Sequence, residues 1–342
     1  MSEAGRRTRG PRRRLRRTAI ILVTVLALGV VGTAAGYLAF LNWRVNDNIA
    51  YDRLLPDDEM TGEDGAKVLP VPMERPASAG DALNYLIIGS DSRDLDEERG
   101  RSDVIVVAHV SDERDRVDLI HFPRDYFVDI PGSGDKNKIN ASYSFGGAPL
   151  LVETLQPQLG VPIDGVVIVN FESFQAMTDS IGGVTVNVAE ASPGYPVGEM
   201  EMDGETGLAF VRERYALSQG DISRGQRQQA FIKAIMLKAL SADTLGNPVK
   251  LANFVDAATN NLTVDESLDM GEMRSLAFDM RGVRGDDINF ITAPWSGIGE
   301  SSFAGSIVNP APDQLEVLQE HLANDTMEDY SDPVSPTSGF GG

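Results

Sequence analysis

The longest apolar stretch in the chain is TAIILVTVLALGVVGTAAGYLAFL, residues 18–41, with no charged side chain in 24 positions. A helix of that length crosses the hydrocarbon core of a bilayer, so the pattern predicts one transmembrane helix. Residues 42–80 lose this pattern and become rich in Pro, Asp, Glu and Gly, the composition of an extracytoplasmic stalk. From residue 83 short apolar or alternating runs predict strands at 83–89, 103–110, 116–122, 126–130, 164–170, 183–189 and 288–294. Apolar residues at three- and four-residue intervals predict helices at 147–159, 171–181, 204–216, 221–242, 247–260, 268–281 and 312–323.

Several of these strands are apolar on both faces, which calls for a sheet covered on each side. The runs 103–110 and 116–122 are too close for a helical crossover, so the sheet should mix parallel and antiparallel pairs. The expected fold class is α/β, a three-layer α/β/α sandwich with a central mixed sheet, spanning residues 81–325. Residues 326–342 carry no periodicity and read as a loose tail.

Charge changes this picture at the N-terminus. The 342 residues carry a net −21, yet the first 17 hold eight arginines against Glu3, a local +7 that leaves −28 for the rest. Followed directly by the 18–41 run, the basic arm marks the cytoplasmic side rather than a nucleic-acid tail. The expected layout is a basic cytoplasmic tail at 1–17, a single-pass cell-membrane anchor and an extracytoplasmic domain, with no nucleic-acid partner. Cysteine is absent, which excludes disulfides, thiolate metal sites and a cysteine nucleophile. The three histidines, His109, His121 and His321, show no metal-ligand spacing.

Charged residues then cluster where strands end or helices begin. The segments are GSDSR with Asp91 and Arg93, RGRSD with Arg101 and Asp103, and FPRD with Arg124. A fourth, FVRERYALSQGDISRGQRQQ, holds Arg212, Arg214, Asp221, Arg224, Arg227 and Gln228. In the last of these, Arg224, Arg227 and Gln228 fall at helical i, i+3 and i+4 spacing, the spacing of one shared face. Converging arginines repel one another unless an anion lies between them, and the forked guanidinium suits phosphate. The aspartates have two readings: they neutralise the arginines, or Asp91 and Asp103 hold a hard divalent cation such as Mg²⁺ beside a phosphate. Apolar positions on two helices (Phe174, Met177 and Ile181; Phe231, Ile235 and Met236) are candidates for an apolar cleft or for plain core.

The ordered set IGSDSR, RSDVIVV, FPRD, KINASYSFGG, IVNFESF, IGGVTVNV and FVRERYALSQGDISRGQRQQ resembles the LytR-CpsA-Psr family of membrane-anchored cell-wall ligases over residues 83–325. The resemblance implies transfer of a glycopolymer from a polyprenyl-pyrophosphate carrier to a peptidoglycan sugar hydroxyl. It maps Asp91 and Asp103 onto the family's Mg²⁺-associated aspartates, and Arg124, Arg212, Arg214, Arg224 and Gln228 onto its pyrophosphate and head-group contacts. Asp221 maps onto a nearby acid, with Arg93, Arg101, Arg227 and Lys138 as further members. Arg124 and Asp91 are the expected catalytic pair, Asp91 as the base that takes the hydroxyl proton. His121 and Phe122 depart from the family's usual residues before PRD, and no additional C-terminal domain is visible. A pyrophosphohydrolase, or a non-catalytic module that binds lipid pyrophosphate, are the alternative readings.

Overall fold

The computed structural model describes residues 36–333 apart from 38, 57–59, 91–101, 219 and 261. Residues up to Asp47, helical where described, form a unit of their own. No described helix is long and apolar enough to cross a membrane, and the span expected at 18–41 lies almost wholly outside the described residues.

The second unit is built on a seven-stranded mixed sheet. Its strands are β1 (Ala50–Asp52), β2 (Leu83–Ser90), β3 (Ser102–Val110), β4 (Val117–His121), β5 (Gly165–Asn170), β6 (Leu262–Asp265) and β7 (Ile288–Thr292). They lie in the order β1-β6-β5-β2-β3-β4-β7. β2 pairs parallel with β5 and β4 parallel with β7, while β3 runs antiparallel between β2 and β4. The longer helices are α1 (Ile139–Leu159), α2 (Phe171–Ser180), α3 (Gly204–Arg212), α4 (Asp221–Ala239), α5 (Pro248–Thr259), α6 (Met270–Asp279) and α7 (Pro312–Asn324).

The two faces of the sheet follow the period of two along each strand. Leu86, Ile88, Ile105, Val107 and Ile120 face a core shared with Leu151, Leu155 and Leu159 of α1 and Leu315, Leu318 and Leu322 of α7. Val104, Val106, Ala108 and Leu119 face the other way, toward Ile232 and Met236 of α4 and Leu276 of α6. Both sides are thus covered by helices, the layered arrangement expected from strands apolar on both faces.

Five features differ from the sequence reading. Residues 50–80 are not a free stalk. β1 adds an edge strand beside β6, and the buried Asp265 carboxylate accepts the amides of Leu54 and Leu55 at 2.8 and 2.9 Å. Burial pushes that carboxyl up, but its hydrogen bonds from Ser267, Leu54 and Leu55 outweigh burial and hold it below its usual value. Met60, Val68 and Ala79 are buried as well. The 183–189 run is a strand, at Val184–Val188, but it pairs with Gly198–Met202 in a separate hairpin. The 126–130 run likewise lies outside the sheet, its Phe127–Asp129 strand pairing with Lys136–Lys138. Helix α1 begins eight residues earlier than predicted, interrupted at Gly147 by φ 70° and ψ −160°, a backbone conformation that glycine adopts at little cost. The tail begins later than 326, because Met327 is buried and Tyr330 packs on the main core.

The end of α7 is tied to the sheet by one polar knot. His109 on β3 is buried, with Nδ1 2.8 Å from Asn84 Oδ1 and Nε2 3.1 Å from Asp325 Oδ1. Asn84 Nδ2 donates to the Pro162 carbonyl, which fixes the amide with its oxygen toward the imidazole. Asp325 caps α7 in the left-handed conformation and accepts the Asp112 amide through its other oxygen at 2.9 Å. Asp325→Asn turns one acceptor into a donor while keeping a residue that tolerates left-handed backbone. We expect a loss of about 1–3 kcal/mol of stability, read as a lower urea midpoint at unchanged slope.

Candidate active site

The strand directions gather the charged segments at one edge. β2, β4, β5 and β7 run the same way and end at Ser90, His121, Asn170 and Thr292. Ser90 stands opposite Asn170 on one side and Ser102, the first residue of β3, on the other. Ligands of open α/β sheets bind at this carboxyl edge. Asp103 is the residue passed over where the β2–β3 register shifts, a bulge at the same edge. The Asp103 and Asp221 side chains lie outside the described residues, as do Asp91, Arg93 and Arg101 entirely.

Arg124 sits in a turn pinned on both sides. Before it, Phe122 is fully buried, donates its amide to the Ile105 carbonyl, and meets Tyr126 edge to face with centroids 5.7 Å apart. After it, the Tyr126 hydroxyl donates to the Pro294 carbonyl at 2.6 Å. The Arg124 carbonyl accepts the Asn140 amide at 3.2 Å, so the first turn of α1 holds this residue in place. Beside it Lys138 Nζ lies 3.0 Å from the buried Asp125 carboxylate. The structure therefore brings Lys138 beside the FPRD turn.

Helix α4 reaches the same edge through a close approach. A Cβ on Gly225 would stand 2.5 Å from His121 Cε1, so only glycine lets the helix lie this near to the end of β4. His121 is pushed down to a pKa of about 4, first by burial and then by the charge of Arg224. The imidazole is therefore neutral at neutral pH, and it places no second cation beside Arg224.

Arg224, Arg227 and Gln228 do not act on one face as their spacing predicts. Arg227 turns to the 184–202 hairpin, its guanidinium 4.4 Å from the Phe210 ring centroid and 5.6 Å from that of Tyr195. Its Nη2 donates to the Glu190 carbonyl and to Ser192 Oγ. Helix α3 ends at Arg212, four residues short of the predicted end, because the chain turns extended at Glu213. Arg212 is exposed there, and Arg214 is half-buried with its guanidinium 5.9 Å from the Tyr215 ring centroid.

Gln228 points instead into an apolar cleft of about 380 Å³ between the sheet and α2, α4 and α5. The cleft is walled by Ile87, Val104, Phe174, Met177, Met236 and Phe254, with Gln228 and Asn170 its polar members. Its α4 side runs from Gln228 to the C-cap Leu240, a rise of about 18 Å along the helix. Of the six candidate lining residues, Phe174, Met177, Ile235 and Met236 reach it; Ile181 and Phe231 are core under the 184–202 hairpin. The sequence reading missed Asn170, although it lies inside the IVNFESF segment where β5 gives way to α2.

A polar, arginine-bearing edge thus adjoins an elongated apolar cleft, the two halves of a site for an anion with a long hydrocarbon tail. The family model for LytR_cpsA_psr matches residues 57–324. The chain belongs to the LytR_cpsA_psr family. Among relatives of this family, the polyisoprenyl-teichoic acid–peptidoglycan teichoic acid transferase TagU of Bacillus subtilis is 30% identical over 281 residues, 81% of this chain and 86% of that protein. The protein of the same name from Oceanobacillus iheyensis is 36% identical over 231 residues, 65% of this chain and 69% of that one. The crystal structure of B. subtilis TagV matches with a TM-score of 0.59 at 27% identity, covering 73% of this chain and 98% of its own. A LytR-Csp2A-Psr enzyme from Actinomyces oris matches in fold with a TM-score of 0.60 at 22% identity, over 80% of this chain and 96% of that one. The LytR_cpsA_psr match reaches from within the expected stalk through α7, so it includes the whole edge and cleft described above.

Two outcomes follow from the His121 packing. The unfolded imidazole takes a proton near pH 6.5 and the folded one resists to about 4, so the unfolded state binds more protons across that window. Stability should fall as pH drops from 6.5 to 4, by roughly 2–3 kcal/mol for this group, and His121→Gln should flatten that slope in urea titrations at each pH. Gly225→Ala should cost about 1–3 kcal/mol of stability, because the methyl must displace the imidazole or lift α4 from the sheet.

Proposed function

We propose that the protein transfers a glycopolymer, with one phosphate, from a polyprenyl-pyrophosphate carrier to a sugar hydroxyl of peptidoglycan. The observation that carries this reading is the path of α4. One helix supplies Arg224 at the charged edge and Gln228, Ile232, Met236 and Leu240 along the apolar cleft. A free nucleotide or sugar phosphate would leave that cleft empty, and a plain lipid would not use the charged edge beside it. The relatives named as teichoic acid transferases agree with this chemistry.

In the reaction the acceptor hydroxyl attacks the phosphorus that bears the glycan, a phosphodiester forms, and the pyrophosphate bond breaks to release polyprenyl phosphate. Arg124, held between its buried aromatic neighbours, stabilises charge on the phosphoryl oxygens, with Arg212, Arg214, Arg224 and Lys138 completing the anion site. Gln228 orients the head group at the mouth of the cleft. Asp91 takes the hydroxyl proton, as the nearest acid in sequence to the end of β2.

Asp91 and Asp103 carry hard oxygen donors, the type that a divalent cation takes. The Asp103 backbone lies in the bulge beside Gly89 and Ser90, and Asp91 follows Ser90 directly in sequence. Asp91 and Asp103 would hold Mg²⁺, which supplies charge neutralisation to the pyrophosphate when bound. The basic arm and the uncharged 18–41 run support a single-pass anchor, N-terminus cytoplasmic, with the active site on the outer side.

Arg124→Ala should lower transfer of a lipid-linked glycan at least about 100-fold with little change in stability; unchanged transfer would refute the assignment. Met177→Trp should fill the cleft, so that long-chain prenyl donors lose affinity while short-chain analogues retain it. Equal loss for both lengths would argue against the cleft as the tail site.

A further inference from the structure

A second cleft, outside the one that suits the carrier, lies between two hairpins. One is the Phe127–Lys138 hairpin and the other joins Trp295–Ser301 to Gly305–Pro310. They are locked side by side by the Val308 amide donating to the Asp125 carbonyl at 2.8 Å. The cleft holds about 320 Å³ and is walled by Glu63, Ser133, Asp135, Lys136, Asn137 and Phe303.

Its chemistry is unlike that of the carrier site. Phe303, at the hairpin tip, is 64% exposed, a large apolar ring held out in water beside polar groups. Phe127 stands next to it, ring centroids 6.4 Å apart and planes tilted by 49°. Around this pair, Lys136 supplies donors and Glu63 and Asp135 supply acceptors. Asn137 spends its Oδ1 on the Lys138 amide, so its NH₂ is the end it can offer a ligand. The cleft wall itself is set firmly, since Ser133 Oγ bridges the carbonyls of Ile130 and Asp135.

Each simpler ligand fits poorly. Two carboxylates oppose a phosphate, and the polar wall opposes a hydrocarbon chain. A sugar ring satisfies all of it: its C–H face covers the exposed aromatic ring while its hydroxyl and acetamido groups accept from Lys136 and Asn137 and donate to Asp135 and Glu63. The position suits the reaction too. Lys136 and Asn137 belong to the three-residue strand that ends in Lys138, whose Nζ is 3.0 Å from Asp125 next to Arg124. At strand rise, Lys136 and Lys138 are about 7 Å apart, on the scale of one sugar residue between this cleft and the phosphoryl site.

We propose that this cleft is a glycan subsite that holds the acceptor chain, an N-acetylated amino-sugar polymer, with Phe303 as its stacking platform. The assignment rests on the transferase reading above for the identity of the acceptor, though not for the binding of a sugar. The test uses the full-length protein in detergent, wild type and the Phe303→Ala and Asp135→Asn variants. Binding of a β-1,4-linked N-acetylglucosamine tetramer is followed by calorimetry, alongside donor affinity and the KM for soluble peptidoglycan glycan strands. The tetramer should bind the wild type, and Phe303→Ala should weaken it and raise acceptor KM about tenfold, with donor affinity unchanged. Asp135→Asn, which keeps the shape of the cleft, should give a smaller shift in the same direction. An acceptor KM within twofold of wild type would overturn the proposal. A change in donor affinity instead would show that the cleft holds the donor's polymer, which also overturns the acceptor assignment. If the wild type transfers nothing yet binds the tetramer through Phe303, the sugar site stands and the transferase reading fails.

Discussion

The chemistry of this molecule depends on how closely α4 lies against the ends of the strands. Gly225 allows that approach, and His121 fills the space beneath it as a neutral, buried ring. With the helix at that height, Arg224 meets the charged edge while Gln228 and the apolar residues beyond it roof a cleft over β2, β3 and β5. Raising the helix by a methyl group would widen the cleft and withdraw the arginine together. The charged edge and the apolar cleft are therefore coupled mechanically, through one rigid element, rather than being two features that happen to adjoin.

The sheet supplies the other half of the constraint. Four strands running in one direction deliver their chain exits to a single edge, so that FPRD, the start of β3 and the start of α2 meet there although they are far apart in sequence. Long-range order of this kind is fixed by pairing register, and the register is held by apolar faces on both sides of the sheet. The hairpin at 184–202 then anchors α3 and α4 through Arg227, which stacks on Phe210 and ties to Glu190 and Ser192. Arg227, which shares its helical spacing with Arg224, is thereby occupied with holding the helix that carries Arg224.

Much of the fold was legible because its strands are apolar on both faces and its helices keep a clean period. The mixed sheet followed from connection lengths, and the FPRD turn and the α4 arginines were found as strand-end and helix-start clusters. What failed to show in the sequence were features that only tertiary contacts create. Ala50–Asp52 has no strand signature of its own and becomes a strand because β6 offers an edge and Asp265 Oδ2 accepts the next two amides, those of Leu54 and Leu55. Gly147 breaks a helix whose first turns looked like loop, and Arg227 could not be separated from Arg224 by periodicity. Of the candidate cleft residues, Ile181 and Phe231 share the spacing of their neighbours but fall under the 184–202 hairpin, which spacing along one helix cannot reveal.

The central claim is that one helix reads both ends of a prenyl pyrophosphate, and labelling tests it most directly. A prenyl pyrophosphate analogue carrying a photoreactive group at the far end of a short tail would be cross-linked to the protein and the adducts mapped by mass spectrometry. The account predicts labels on the cleft wall, in the peptides containing Met236 and Leu240 or Phe254. Moving the photoreactive group to the pyrophosphate end should shift the label to the peptides around Arg124 and Lys138. Tail labels outside the cleft, or the same peptides labelled from both ends, would contradict it.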